Sequence, residues 1–134
     1  LCDVDQKRLD SGMKAIEVQN KDARPKLVQD FRRMLDDPSL DAVFIATCNH
    51  WHAPAAILAC KAGKHVYVEK PGSHNAREGE LMVEAARKHK RVVQLGNQRR
   101  TWPAMREAIE KLHAGIIGKV RYARCNYVSE RGPI

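Results

Sequence analysis

Residues 41–71 read DAVFIATCNHWHAPAAILACKAGKHVYVEKP. Asp41–Thr47, DAVFIAT, is an apolar run with no polar alternation. A strand of that kind is covered on both faces, which is the habit of a parallel sheet. Trp51–Lys61 follows as an alanine-rich helix, with Gly63 placed as its left-handed stop. His65–Val68 is a second apolar strand. Strand, helix and strand joined by short loops make a βαβ unit, and its right-handed crossover leaves the two strands parallel.

The same alternation extends in both directions. Toward the N-terminus, Gln6 to about Val18 is a polar helix with Leu9, Met13 and Ile16 on one face. Lys26-Leu27-Val28 reads as a short strand, and Leu1-Cys2-Asp3 as the end of another. Asp30 caps a helix that carries Phe31, Met34 and Leu35 and stops at Asp37-Pro38. Toward the C-terminus, Asn75 and Glu78 form a capping box for a helix to about His89. Arg91–Leu95 is a further strand. Pro103 opens a helix through Leu112 that closes near Gly115. A Gly115-Ile116-Ile117-Gly118 hinge then leads into a longer, more polar strand, Lys119–Tyr127. The order predicts an α/β fold with a parallel sheet.

Composition narrows the function classes. The 134 residues are 43% hydrophobic, which suits a globular domain. No apolar run reaches the ~20 residues of a membrane helix, so no membrane partner is expected. The net charge is +8, but the basic residues are dispersed and aromatics make up only 5%. That is too few for a base-stacking platform, so no nucleic acid is expected and an anionic small ligand fits the charge as well. The four cysteines form no Cys-x-x-Cys, which reads as thiols in a reducing compartment. Cytoplasm is the default localisation. The chain starts at Leu1 rather than Met, so export of a longer parent stays open.

In an open parallel sheet, ligands bind outside the carboxyl ends of the strands. Four successive strand ends here carry polar residues. Asp3 and Asp5 follow the first, where Asp3 would accept from a ribose hydroxyl or either acid would cap the next helix. Cys48-Asn49-His50-Trp51-His52 follow DAVFIAT. Their spacing matches no zinc pattern, so no metal is expected; Asn49 is placed to bond a ligand and His52 to start the helix. Glu69-Lys70 follow VYV, and Pro71-Gly72 force a turn there. A surface salt bridge is the ordinary reading of such a pair. A partly desolvated lysine at that place is instead a proton acceptor suited to a hydroxyl that is losing hydride from its carbon. Asn97, Gln98, Arg99 and Arg100 follow RVVQL-Gly96.

The stretch Asp41–Pro71 closely resembles the Gfo/Idh/MocA family of NAD(P)-dependent oxidoreductases, which includes glucose-fructose oxidoreductase and inositol dehydrogenases. LCDVD at Leu1–Asp5, QLGNQRR at Gln94–Arg100 and GIIGKVRYAR at Gly115–Arg124 support the resemblance, which covers essentially the whole chain. It implies a Rossmann-like sheet over residues 1–115, a partial dinucleotide-binding domain. Residues 116–134 would begin a C-terminal α+β domain for substrate and oligomerisation. It implies hydride transfer between NAD, or NADP, and a secondary hydroxyl of a sugar or cyclitol, in a homo-oligomer. Lys70 is similar to the catalytic lysine, which also touches substrate, and Glu69 to the residue at the nicotinamide-side ribose. Asp3 corresponds to the adenosine-ribose acid, which favours NAD. Thr47, Asn49 and His52 match the family's Thr-Pro-Asn-x-x-His segment beside the cofactor. Asn97 matches a cofactor-side residue, and Arg99 a substrate contact.

Three departures qualify that picture. Cys48 stands where the family has proline. No Gly-x-Gly-x-x-Gly turn occurs in the chain, so the first βα unit, with the phosphate-binding helix start, is expected to be missing. The family's further catalytic Asp and His would lie beyond Ile134. The chain therefore reads as a fragment of a longer enzyme and, alone, as inactive. A relative that uses NAD in glycoside hydrolysis and a non-catalytic cofactor-binding module are the alternatives.

Overall fold

The structure, a computed structural model, describes residues 1–126 and 128. Two compact units divide the chain, Leu1–Gly96 and Asn97–Ile134. The first unit holds α1 (Gln6–Gln19), α2 (Phe31–Leu35), β1 (Ala42–Ile45), α3 (His52–Lys61), β2 (His65–Val68), α4 (Ala76–Lys88) and β3 (Val93–Leu95). The second holds α5 (Pro103–His113).

The strands form a parallel sheet in the order β1-β2-β3. Val43 pairs with Val66 and Ile45 with Val68, while Val68 pairs with Leu95. That register places the carboxyl ends of all three strands together. The helices begin and end as the sequence dictates. Asp5 caps α1 by accepting from the Lys7 amide, and Asp30 caps α2 by accepting from that of Arg32. The Arg32 guanidinium, 2.7 Å away, holds the Asp30 carboxyl down to about 2. At α4 the start is capping-box-like: Asn75 accepts from the Glu78 amide, and Glu78 reaches back to accept from the amide of His74, one residue before the cap. Gly63 has φ +79° just past α3, a conformation that costs glycine nothing.

The core lies on one face of the sheet. Val43, Ile45, Val66 and Val68 meet Ala55, Ala56, Ala59 and Cys60 of α3 and Ala85 of α4. The alanines let α3 sit close, and each buried valine contributes roughly 1.5–3 kcal/mol. Lys64 is buried at the mouth of this core, where its ammonium donates to the Asp37 carbonyl at 2.7 Å.

Three expectations are corrected. The sheet is not covered on both faces: Phe44 is 66% exposed and stacks on Tyr67 at 4.6 Å. Both crossover helices, α3 and α4, pack on the other side, so the apolar run of β1 exceeds what the described residues bury. The strand expected at Lys26–Val28 is a single parallel bridge, Cys2 to Val28. One pair of residues bonds there, so no ladder builds. Residues 119–126 form no strand, because no described segment pairs with them; Tyr127 lies outside the described residues. A smaller shift concerns the start of α3, where Asn49–Trp51 is a 3-10 turn and the α-helix begins at His52.

Candidate active site

The parallel register puts the residue after each strand at a shared edge. Glu69 and Lys70 leave β2 beside Thr47, Cys48 and Asn49, which leave β1. The Glu69 amide donates to the Ile45 carbonyl at 2.9 Å, so the ladder runs one step past the strand and fixes where Glu69 begins. The Glu69 carboxylate turns back to accept from the Lys70 amide at 3.2 Å. Glu69 is half-buried and Lys70 exposed, and the Lys70–Pro71 peptide bond is cis.

The β1 end is held from two sides. The Trp51 amide donates to the Cys48 carbonyl at 2.9 Å, closing the 3-10 turn. The Trp51 ring meets that of Phe31 edge-on at 5.9 Å, which ties the turn to α2. Thr47 and Asn49 are exposed along this edge. Thr47 Oγ1 donates to the Cys48 carbonyl at 3.2 Å.

His52 is the first residue of α3, the place expected of a residue that starts the helix. It is 1% exposed. Its Nδ1 lies 2.6 Å from the Pro71 carbonyl oxygen and its Nε2 3.1 Å from that of Thr47. Both atoms that could ligate a metal are thus taken by backbone.

Asp3 sits at the end of the Cys2 bridge and is exposed. Its Oδ1 accepts from the Asp5 amide at 2.9 Å, while Asp5 itself caps α1. The two acids thus separate: Asp5 serves the helix and Asp3 holds the turn before it. In the second unit, Asn97 is exposed and its carbonyl accepts from the Arg100 amide at 3.4 Å. Arg99 has φ +71°, and its guanidinium lies 5.8 Å from the Trp102 ring centroid.

Sequence reasoning missed Gly96 and Tyr67. A Cβ on Gly96 would stand 2.8 Å from the Tyr67 hydroxyl and 3.1 Å from Glu69 Oε1. The bare backbone at Gly96 leaves the room those two groups occupy. The β2–β3 register brings them together: Val68 pairs with Leu95, so the residues that follow them, Glu69 and Gly96, face each other.

These groups suit one part of a dinucleotide. Carboxylate, hydroxyl, amide and ammonium groups stand at the neighbouring ends of β1 and β2, and these are groups able to pair with ribose hydroxyls and a carboxamide. The 134 residues contain no Gly-x-Gly-x-x-Gly turn to hold a pyrophosphate.

Residues 6–97 match the family model described as an oxidoreductase family with an NAD-binding Rossmann fold, Gfo/Idh/MocA. The chain is 40% identical over 103 residues to levoglucosan dehydrogenase of Pseudarthrobacter phenanthrenivorans, covering 75% of this chain and 26% of that protein. It is 35% identical over 97 residues to the NAD(+)-dependent scyllo-inositol 2-dehydrogenase of Bacillus subtilis, covering 72% and 28%. The crystal structure of myo-inositol 2-dehydrogenase from Lactobacillus plantarum superposes with a TM-score of 0.74 at 27% identity, covering 89% and 34%. The chain thus spans about a quarter to a third of the length of these relatives.

Proposed function

The chain belongs to the Gfo/Idh/MocA family of NAD-binding oxidoreductases, and from that premise we propose that it is part of a longer dehydrogenase that oxidises a secondary hydroxyl of a sugar or cyclitol. The dehydrogenases of levoglucosan and scyllo-inositol among its relatives support the substrate class. The uncovered Phe44–Tyr67 face and the short coverage of those relatives support the larger parent. Residues 1–115 would serve as the partial dinucleotide domain and 116–134 as the entry to a substrate domain, through which the parent forms a homo-oligomer.

A bound nicotinamide would supply the hydride acceptor. Lys70 takes the hydroxyl proton as the carbon–hydrogen electron pair leaves, and returns that proton in the reverse direction. Substrate and parts of the parent would close over this exposed edge and exclude water from it. Glu69 would accept from the nearer ribose and Asp3 from the adenosine ribose, and Thr47 and Asn49 would line the cofactor's path. The family resemblance gives Asn97 a cofactor-side role and Arg99 a substrate contact.

The adjacency of Glu69-Lys70 and Thr47–Asn49 at neighbouring strand ends carries this reading. The test is NADH formation by the full-length protein over a panel of cyclitols and anhydrosugars, with Lys70→Ala beside it. Loss of about 10²–10⁴-fold in kcat is expected from removing the proton acceptor. Absence of cofactor binding, or full activity in Lys70→Ala, overturns it. Sugar release without net NADH would point to glycoside hydrolysis instead.

A further inference from the structure

We infer that His52 is a positioning residue that clamps the two strand-end loops of the site to each other, an inference that rests on the proposed site but not on its substrate. Each ring nitrogen faces a backbone carbonyl oxygen, Nδ1 that of Pro71 at 2.6 Å and Nε2 that of Thr47 at 3.1 Å. The two carbonyls belong to different loops. Pro71 directly follows Lys70, and Thr47 opens the Thr47–Asn49 segment.

The clamp is mounted on a rigid part. His52 is the first residue of α3, and Ala53, Ala56 and Ala59 behind it are fully buried. Ala56 and Ala59 seat the helix on β1 and β2, so both loops are indexed to one body. A displacement of about 1 Å in a reacting group can cost 10²-fold in rate. A histidine buried only to fill space would be served by any two acceptors. This one reaches the two loops that carry the candidate residues.

The ring positions can be replaced one at a time. The amide nitrogen of His52→Asn falls near Nδ1 and keeps the Pro71 bond. That of His52→Gln falls near Nε2 and keeps the Thr47 bond. Hydrogen exchange and steady-state kinetics on the full-length protein test the clamp. In His52→Asn, exchange at residues 47–51 should quicken about tenfold while Glu69, Lys70 and Gly72 keep their wild-type rates; cofactor KM should rise about tenfold at nearly constant kcat. In His52→Gln the pattern should invert, with kcat falling and cofactor KM held. Equal changes in both loops for both variants, or no change in either, overturn the clamp. Should one variant fail to fold, the other decides by the same two readouts; should both fail, the ring is structural and the clamp is overturned. Exchange needs no turnover, so an inactive wild-type protein would count against the dehydrogenase reading alone.

Discussion

Gly96 lies against the carboxylate of Glu69: a Cβ at position 96 would stand 3.1 Å from Oε1. The same Cβ would be 2.8 Å from the Tyr67 hydroxyl, closer than real carbon–oxygen contacts allow. Gly96 is buried and held by its amide, which donates to the Val68 carbonyl at 2.8 Å. The backbone therefore cannot retreat without breaking the β2–β3 ladder, and the side chains must move.

Gly96→Ala is accordingly expected to act on binding. The displaced Glu69 should weaken NADH binding about tenfold, while overpacking costs about 1–3 kcal/mol of stability. Tyr67→Phe removes the nearer clash and should restore part of both losses in the double variant, a coupling that additive effects would not give. Fluorescence titration and thermal melting measure the two quantities. Unchanged affinity in Gly96→Ala would detach Glu69 from the cofactor.

Phe44 gives a prediction about the chain by itself. Its ring stacks on Tyr67 at 4.6 Å on the open sheet face, and the two rings line a shallow depression of about 350 Å³ together with Ala42, His65 and Val92. Exposed apolar faces of this kind drive association. Phe44→Lys in the 134-residue chain should raise the concentration at which it self-associates several-fold, read by light scattering, at a stability cost under about 1 kcal/mol. In the full-length protein the same change should cost more than about 2 kcal/mol if the face is packed there. Equal, small costs in both would mean the face stays open.

Most of the fold was legible because local signals and packing agree in the first unit. The capping box at Asn75, the left-handed Gly63 and the strand at His65–Val68 stand where the residue pattern put them. Legibility failed where an element depends on partners far along the chain. DAVFIAT is apolar on both sides, yet among the described residues only the Val43 and Ile45 side is covered. Lys119–Tyr127 carries strand-forming residues, but strand formation needs a neighbouring ladder. At the site, strand ends predicted which residues gather. They did not reveal that His52 points inward, because a histidine at a helix start reads alike whether it meets a ligand or a carbonyl. Gly96 escaped because its role is the space it leaves, which only the β2–β3 register exposes.

Lys64 separates stability from function. It precedes β2 at the amino end of the sheet, opposite the candidate site, and is 6% exposed. Its ammonium donates to the Asp37 carbonyl at 2.7 Å, joining the entry of β2 to the loop after α2. Its stem fills space between them, as long cationic side chains do. Lys64→Met keeps most of that volume and leaves the carbonyl without its charged donor, a loss of about 1.5–3 kcal/mol. Lys64→Ala removes the stem as well and should cost about 1–2 kcal/mol more. Urea midpoints at constant slope measure both. Cofactor affinity should hold in either variant, since the strand between Lys64 and Glu69 keeps its ladder on both sides. A methionine variant as stable as wild type would show that the stem, and not the ammonium, does the stabilising.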